Sequence, residues 1–137
     1  MDWKTLNAAV IEEFRANEGK VAQFGGLPVV ILHTKGAKTG RLLETPLVLI
    51  IEEDGTKLIF GSAAGAPKHP TWVHNVRAHA EITVEEGTET YAGRIVELSD
   101  AEAADKAAVQ AARTEQFAGY VKSAAPRQIP VFRIERV

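Results

Sequence analysis

The chain has 137 residues, 45% hydrophobic and 25% charged, with a formal net charge of −2 and no cysteine. That length suits one domain with one core, so residues 1–137 read as a single unit of ordinary globular composition. No apolar run is long enough for a membrane span, no charged start precedes an apolar segment, and disulfide and thiolate chemistry are excluded. A cytoplasmic setting is the default expectation, with peripheral membrane association as a second.

The net charge hides an asymmetry. No Asp or Glu occurs between Gly19 and Leu43, where Lys20, Lys35, Lys38 and Arg41 lie, nor between Gly55 and Ala80, where Lys57, Lys68 and Arg77 lie. A local basic region in an acidic chain suits a small anionic ligand better than a nucleic-acid backbone, which asks for a basic domain.

In chain order, residues 3–17 read as an amphipathic helix, with Leu6, Ala9, Val10 and Phe14 three and four apart and Gly19 as its stop. The β-branched apolar run Leu27–Leu32 predicts a buried strand. It leads into His33-Thr34-Lys35-Gly36-Ala37-Lys38-Thr39-Gly40-Arg41, a polar loop. Residues 44–52 predict a second strand; Pro46 within it marks a strand start, an edge or a bulge, because proline cannot donate to a ladder. Asp54-Gly55 carries a hairpin signal, and the chain returns as a strand over 57–61.

The stretch Gly61–Asn75 follows that strand. Six small residues, Gly61 to Ala66, can let another molecule approach the backbone closely. Pro70 suits a helix start, and Trp72, Val73, Asn75 and Val76 sit in the helix. Strand, small-residue loop and helix N-terminus together are a common way to hold an anion. Residues 80–85 alternate as a strand, and 89–98 return as its partner after the turn at Glu86-Gly87. Ser99 and Glu102 form a capping-box signature, so a helix should run to about Ala112, with a further helical segment over 115–123. Ile129–Ile134 closes the chain as a last strand. The sum is a mainly β, α+β domain whose six strands form a largely antiparallel small barrel with flanking helices.

Most catalytic motifs fail on inspection. Gly36-Ala37-Lys38-Thr39-Gly40 lacks the glycine pattern of a P-loop, yet it still offers Lys38, Thr39 and backbone N–H groups to an anion. His69, His74 and His79, five apart, fall off any common helix face and do not form a metal set. Ser62 has no nucleophile elbow around it. Tyr120 either lines a pocket or staples a helix to the core. With no nucleophile, dyad or metal evident, any redox or transfer chemistry belongs to a cofactor, and the protein supplies binding and orientation.

Several segments together resemble the deazaflavin-dependent nitroreductase family of actinobacteria: Val10–Asn17, Thr34–Gly40 with Thr45-Pro46-Leu47, Ser62–Asn75, and Arg127–Phe132 with Ile129-Pro130-Val131. The resemblance implies a split β-barrel related to the flavin-mononucleotide oxidase barrels, and binding of coenzyme F420, an 8-hydroxy-5-deazaflavin with a phosphate and an oligoglutamate tail. It implies hydride transfer from the reduced coenzyme to quinones, nitroaromatics or polycyclic lactones, and a homodimer. By the same resemblance, Lys38, Thr39 and Gly40 face the anionic tail; Ser62, Ala63, Gly65 and Ala66 lie along the deazaflavin and its phosphate; Trp72 and Asn75 support the ring and ribityl region. Phe117, Tyr120 and Ser62 line the substrate side. The chain is neutral at Ala37, Leu43 and Ala63, where relatives often carry a basic residue, and Arg41 and Lys68 stand as substitutes. The alternatives are a non-catalytic carrier of F420 or an apolar ligand, and a flavin-mononucleotide oxidoreductase on the same barrel.

Overall fold

The computed structural model describes residues 3–137. Helix α1 (Trp3–Ala16) leads into strands β1 (Val29–Lys35), β2 (Leu42–Val48), β3 (Ile50–Ile51) and β4 (Lys57–Phe60). Then come α2 (Thr71–Ala78), β5 (Glu81–Glu86), β6 (Glu89–Glu97), α3 (Asp100–Arg113), α4 (Glu115–Ala124) and β7 (Val131–Arg136). The seven strands form one antiparallel sheet in the order β2-β1-β5-β6-β7-β4-β3.

The strand count is seven where the sequence predicts six, and the extra break is instructive. Residues 44–52 read as one strand, but Leu49 interrupts it: its side chain is fully buried and its N–H donates to the Pro28 carbonyl (2.9 Å). The two pieces on either side, β2 and β3, occupy opposite ends of the sheet. Ends joined by one residue must lie close together, so the sheet has to curl. Pro46 lies opposite Ile31 on the edge strand β2, where its missing N–H costs no second ladder.

The first four residues of β1, Val29–Leu32, are all apolar because both faces of the strand are covered there. Val30 and Leu32 face the main core with Ile59, Val84 and Phe132. Val29 and Ile31 face α1 through Val10 and Phe14. Helix α2 enters the main core with Trp72, Val73 and Val76, and the Trp72 ring meets Phe132 edge-on at 5.2 Å. Helix α3 begins at the capping box read from the sequence: Ser99 Oγ accepts from the Glu102 N–H (3.2 Å), and a Glu102 carboxylate oxygen lies 3.4 Å from the Ser99 N. Helices α3 and α4 cover Phe60 and Ile129 with Ala107, Phe117 and Ala124.

Candidate functional site

Two loops meet α2: one is tied to its Asn75, and the other leads into its N-terminus. The first, residues 36–41, joins β1 to β2, whose register closes at Lys35 opposite Leu42. The Gly36 N–H donates to the Arg41 carbonyl (2.7 Å), the Gly40 N–H to the Gly36 carbonyl (3.0 Å), and the Arg41 N–H to Thr39 Oγ1 (3.2 Å). Gly40 has a φ of 71°, so glycine is the residue that closes this turn without strain. Asn75 ties the loop down. Buried on α2, it accepts from the Ala37 N–H (3.0 Å) and donates to Thr34 Oγ1 (3.1 Å). Those bonds leave the exposed Lys38 and Arg41 side chains, and the Lys38 and Thr39 N–H groups, with no protein partner among the described residues.

The second loop, residues 61–66, runs directly toward the N-terminus of α2. Ser62 is right-handed (φ −75°, ψ −33°), and the next three residues have positive φ: Ala63 48°, Ala64 53° and Gly65 82°. Alanine in that region costs about 1–2 kcal/mol per residue, so two alanines there need a reason. The openness read from the small residues serves the protein's own chain at two positions. A Cβ at Gly61 would sit 2.8 Å from both Pro130 and Val73, and one at Gly65 would sit 3.0 Å from the Tyr120 Cα and 2.9 Å from the Ser123 Cβ. Gly65 thus lets α4 lie against the loop.

Arg127 is a residue that sequence reasoning does not single out for the site, although it falls within a segment that carries the family resemblance. Its guanidinium donates to the carbonyls of Gly61 (2.9 Å), Ser62 (2.8 Å) and Ala66 (3.0 and 2.9 Å), and lies 2.8 Å from His69 Nδ1. Burial lowers the Arg127 pKa. Burial and then the Arg127 charge lower that of His69, so the ring is neutral at pH 7, with Nδ1 accepting from Arg127. No spacing rule links position 127 to 61–66; only the fold does.

The remaining predicted residues divide by exposure. Lys68 is exposed and forms no ion pair among the described residues, whereas Lys57 pairs with Glu86 (2.7 Å) and Arg77 with Glu97 (2.7 Å). Around the two loops the exposed cations with no ion pair among the described residues are Lys35, Lys38, Arg41 and Lys68; Lys20, Arg94, Arg113 and Lys122 are likewise unpaired but lie on other parts of the chain. Asn75 is buried and holds the first loop, whereas the buried Trp72 packs into the main core on Phe132. Phe117 is also buried, 5.1 Å from Phe60 and 6.3 Å from the half-buried Tyr120, so Phe117 backs Tyr120. Exposed cations and uncommitted N–H groups on two adjacent loops form a donor set for an extended anion.

A metal is a poorer fit. His33, Glu44 and Glu85 converge, but Arg15 already bonds both carboxylates, and His33 Nε2 lies 2.6 Å from Glu85. A cleft of about 780 Å³ between the end of α1 and Gly25–Pro28 contains neither loop.

A family model described as F420H(2)-dependent quinone reductase matches residues 5–136. An F420H(2)-dependent quinone reductase of Mycobacterium tuberculosis is 31% identical over 80 residues, which are 57% of this chain and 53% of that protein; the chain thus spans about half the length of the curated relatives it matches. Among solved structures, an F420-H2 dependent reductase (FDR-A) is 32% identical with a TM-score of 0.65, covering 79% of this chain and 94% of its own. A structure described as a domain-swapped dimer is 29% identical, with a TM-score of 0.66 over 93% and 96% of the two chains. The haem storage protein HutZ from Vibrio cholerae, at 15% identity and a TM-score of 0.54, shares the fold alone.

Proposed function

Because the chain belongs to the F420H(2)-dependent quinone reductase family, we propose that it binds coenzyme F420 on the two loops beside α2 and passes hydride from the reduced coenzyme to a quinone-type acceptor. The observation that carries this reading is the pair of loops itself: four cations, and the N–H groups at positions 38, 39, 63 and 64, have no protein partner among the described residues. A phosphate and a polyglutamate tail are long, flexible and multiply charged. They match cations spread over two loops better than the single phosphate of flavin mononucleotide does.

In this reading Lys38 and Arg41 meet the tail, with Lys68 as a further cation, and the Thr39 and Gly40 backbone shapes the turn beneath it. Ser62, Ala63, Gly65 and Ala66 lie along the ring and phosphate, and Trp72 and Asn75 hold that floor from below. Bound in its reduced form, the coenzyme supplies the hydride. The chain's own part is to hold a flat acceptor at near-contact distance, with Tyr120 as the aromatic wall and Ser62 as the hydroxyl within reach of the acceptor oxygen. A barrel of the split type and a homodimer belong to the same proposal, the second supported by the relative described as a domain-swapped dimer. No helix among the described residues is long and apolar enough to cross a membrane, and we place the protein in the cytoplasm. The test is oxidation of reduced F420 followed on addition of a soluble quinone. Turnover that requires both protein and quinone supports the reading, and its absence over a range of quinones contradicts it.

A further inference from the structure

We propose that Arg127 is a positioning residue for the cofactor: it grips the 61–66 loop by its carbonyls and so aims that loop's N–H groups at the ligand. The inference rests on the cofactor site just described and assigns one residue a role in it.

In a trans peptide the C=O and N–H point to opposite sides. Arg127 draws the Gly61 and Ser62 carbonyls toward itself at 2.9 and 2.8 Å. The N–H groups on the far side of those two peptides belong to Ser62 and Ala63, and both must therefore point away from the guanidinium. Neither donates to a protein acceptor among the described residues. A right-handed residue followed by a left-handed one, as at Ser62 and Ala63, is the backbone form that turns successive N–H groups into one anion-binding concavity. The positive charge behind the carbonyls polarises both peptides in the same sense.

The strain in the loop supports the same role. Two consecutive alanines at positive φ do not hold that conformation unaided. The Gly65 N–H to Ser62 carbonyl bond (2.9 Å) and the Ala66 N–H to Ala63 carbonyl bond (3.0 Å) close the turn locally. Arg127 reaches both of its ends, Gly61–Ser62 and Ala66, with one planar group. A lysine keeps the charge but cannot reproduce that fork. His69 completes the grip by accepting from the guanidinium.

The experiment compares wild type, Arg127→Lys and Arg127→Lys with Ala64→Gly, by F420 fluorescence titration and by amide hydrogen exchange without cofactor. Arg127→Lys should weaken F420 binding tenfold or more and speed exchange at the hydrogen-bonded Gly65 and Ala66 amides, while β5 and β6 amides stay protected. Ala64→Gly, which accepts positive φ freely, should recover part of the affinity. Unchanged affinity and unchanged loop exchange in Arg127→Lys would overturn the inference, as would lost affinity with an unaltered loop. Should Arg127→Lys fail to fold, His69→Ala carries the test, with a two- to fivefold loss of affinity and faster loop exchange expected; no change in either refutes the inference. Wild-type protein that binds no F420 at all refutes the cofactor site instead, and faster loop exchange in the variant would then still support the grip itself.

Discussion

Arg15 on α1 and Lys38 on the β1–β2 loop are both exposed cations beside the same strand, but their surroundings differ. Arg15 meets Glu44 and Glu85 and shares Glu85 with His33, so its charge is answered by the protein. The Arg15 hydrogen bonds hold the Glu85 carboxyl below its usual range. Lys38 stands in a stretch with no acid from Gly19 to Leu43, and the nearby loop bonds go to backbone carbonyls, the Thr39 hydroxyl and the Asn75 amide, none of them charged. The first arrangement fastens a helix to a sheet. The second leaves charge for something that is not part of the chain. In the proposed reading, unpaired cations gathered on two loops in acid-free stretches, more than the mere presence of cations, mark the cofactor side.

The largest effect that sharpens this contrast comes from neither cation. Gly65→Ala would force a side chain at φ 82° against the Tyr120 Cα and the Ser123 side chain. We expect a loss of about 2–4 kcal/mol in stability by denaturant titration, from the left-handed penalty plus overpacking. Lys38→Ala should act on binding instead. A charge-assisted hydrogen bond contributes about 1.5–3 kcal/mol, so F420 affinity should fall roughly ten- to a hundredfold with the melting temperature nearly unchanged. A sharp drop in melting temperature with affinity intact would make Lys38 structural. Arg15→Ala reverses the pattern. Its pairs are partly exposed, so stability should fall by about 1 kcal/mol or less, with F420 affinity unchanged. Lost affinity in that variant would erase the distinction between the two regions.

The smallest effect is in pH. His69 is neutral in the folded chain with its pKa pushed below the usual 6.5, whereas the unfolded chain takes up a proton near 6.5. Stability from that group is therefore complete above about 6.5 and is lost as pH falls below it. Glu85, with its pKa lowered, adds a loss that starts only when pH falls through the usual carboxylate value of 4.5. Thermal melts between pH 7.5 and 5.5 should thus decline shallowly, and His69→Gln should flatten that decline.

Local signals in the sequence located the elements well. Helical periodicity placed α1, the Ser99–Glu102 pattern placed the start of α3, and Asp54-Gly55 placed the β3–β4 turn. What escaped was set by contacts distant in sequence. Leu49 breaks a strand because the curled sheet needs its two ends joined there, and nothing local in Val48-Leu49-Ile50 says so. The small residues of 61–66 suggested room for a ligand, but Gly61 and Gly65 are small for Pro130, Val73 and α4. Arg127 was legible only as part of a matched segment, because its partners lie about sixty residues away. Lys38 was the easier residue to find, since an unpaired cation in an acid-free stretch is visible in the sequence itself.

Whether the unpaired cations on the two loops serve a long, multiply charged cofactor is decided by titrating the protein with F420 and with flavin mononucleotide at rising salt. The account predicts tighter binding of F420 at low salt and a narrowing difference as ionic strength approaches physiological values, where exposed charges are screened over roughly 8–10 Å. Equal affinity for the two at low salt, or an F420 preference indifferent to salt, would contradict it.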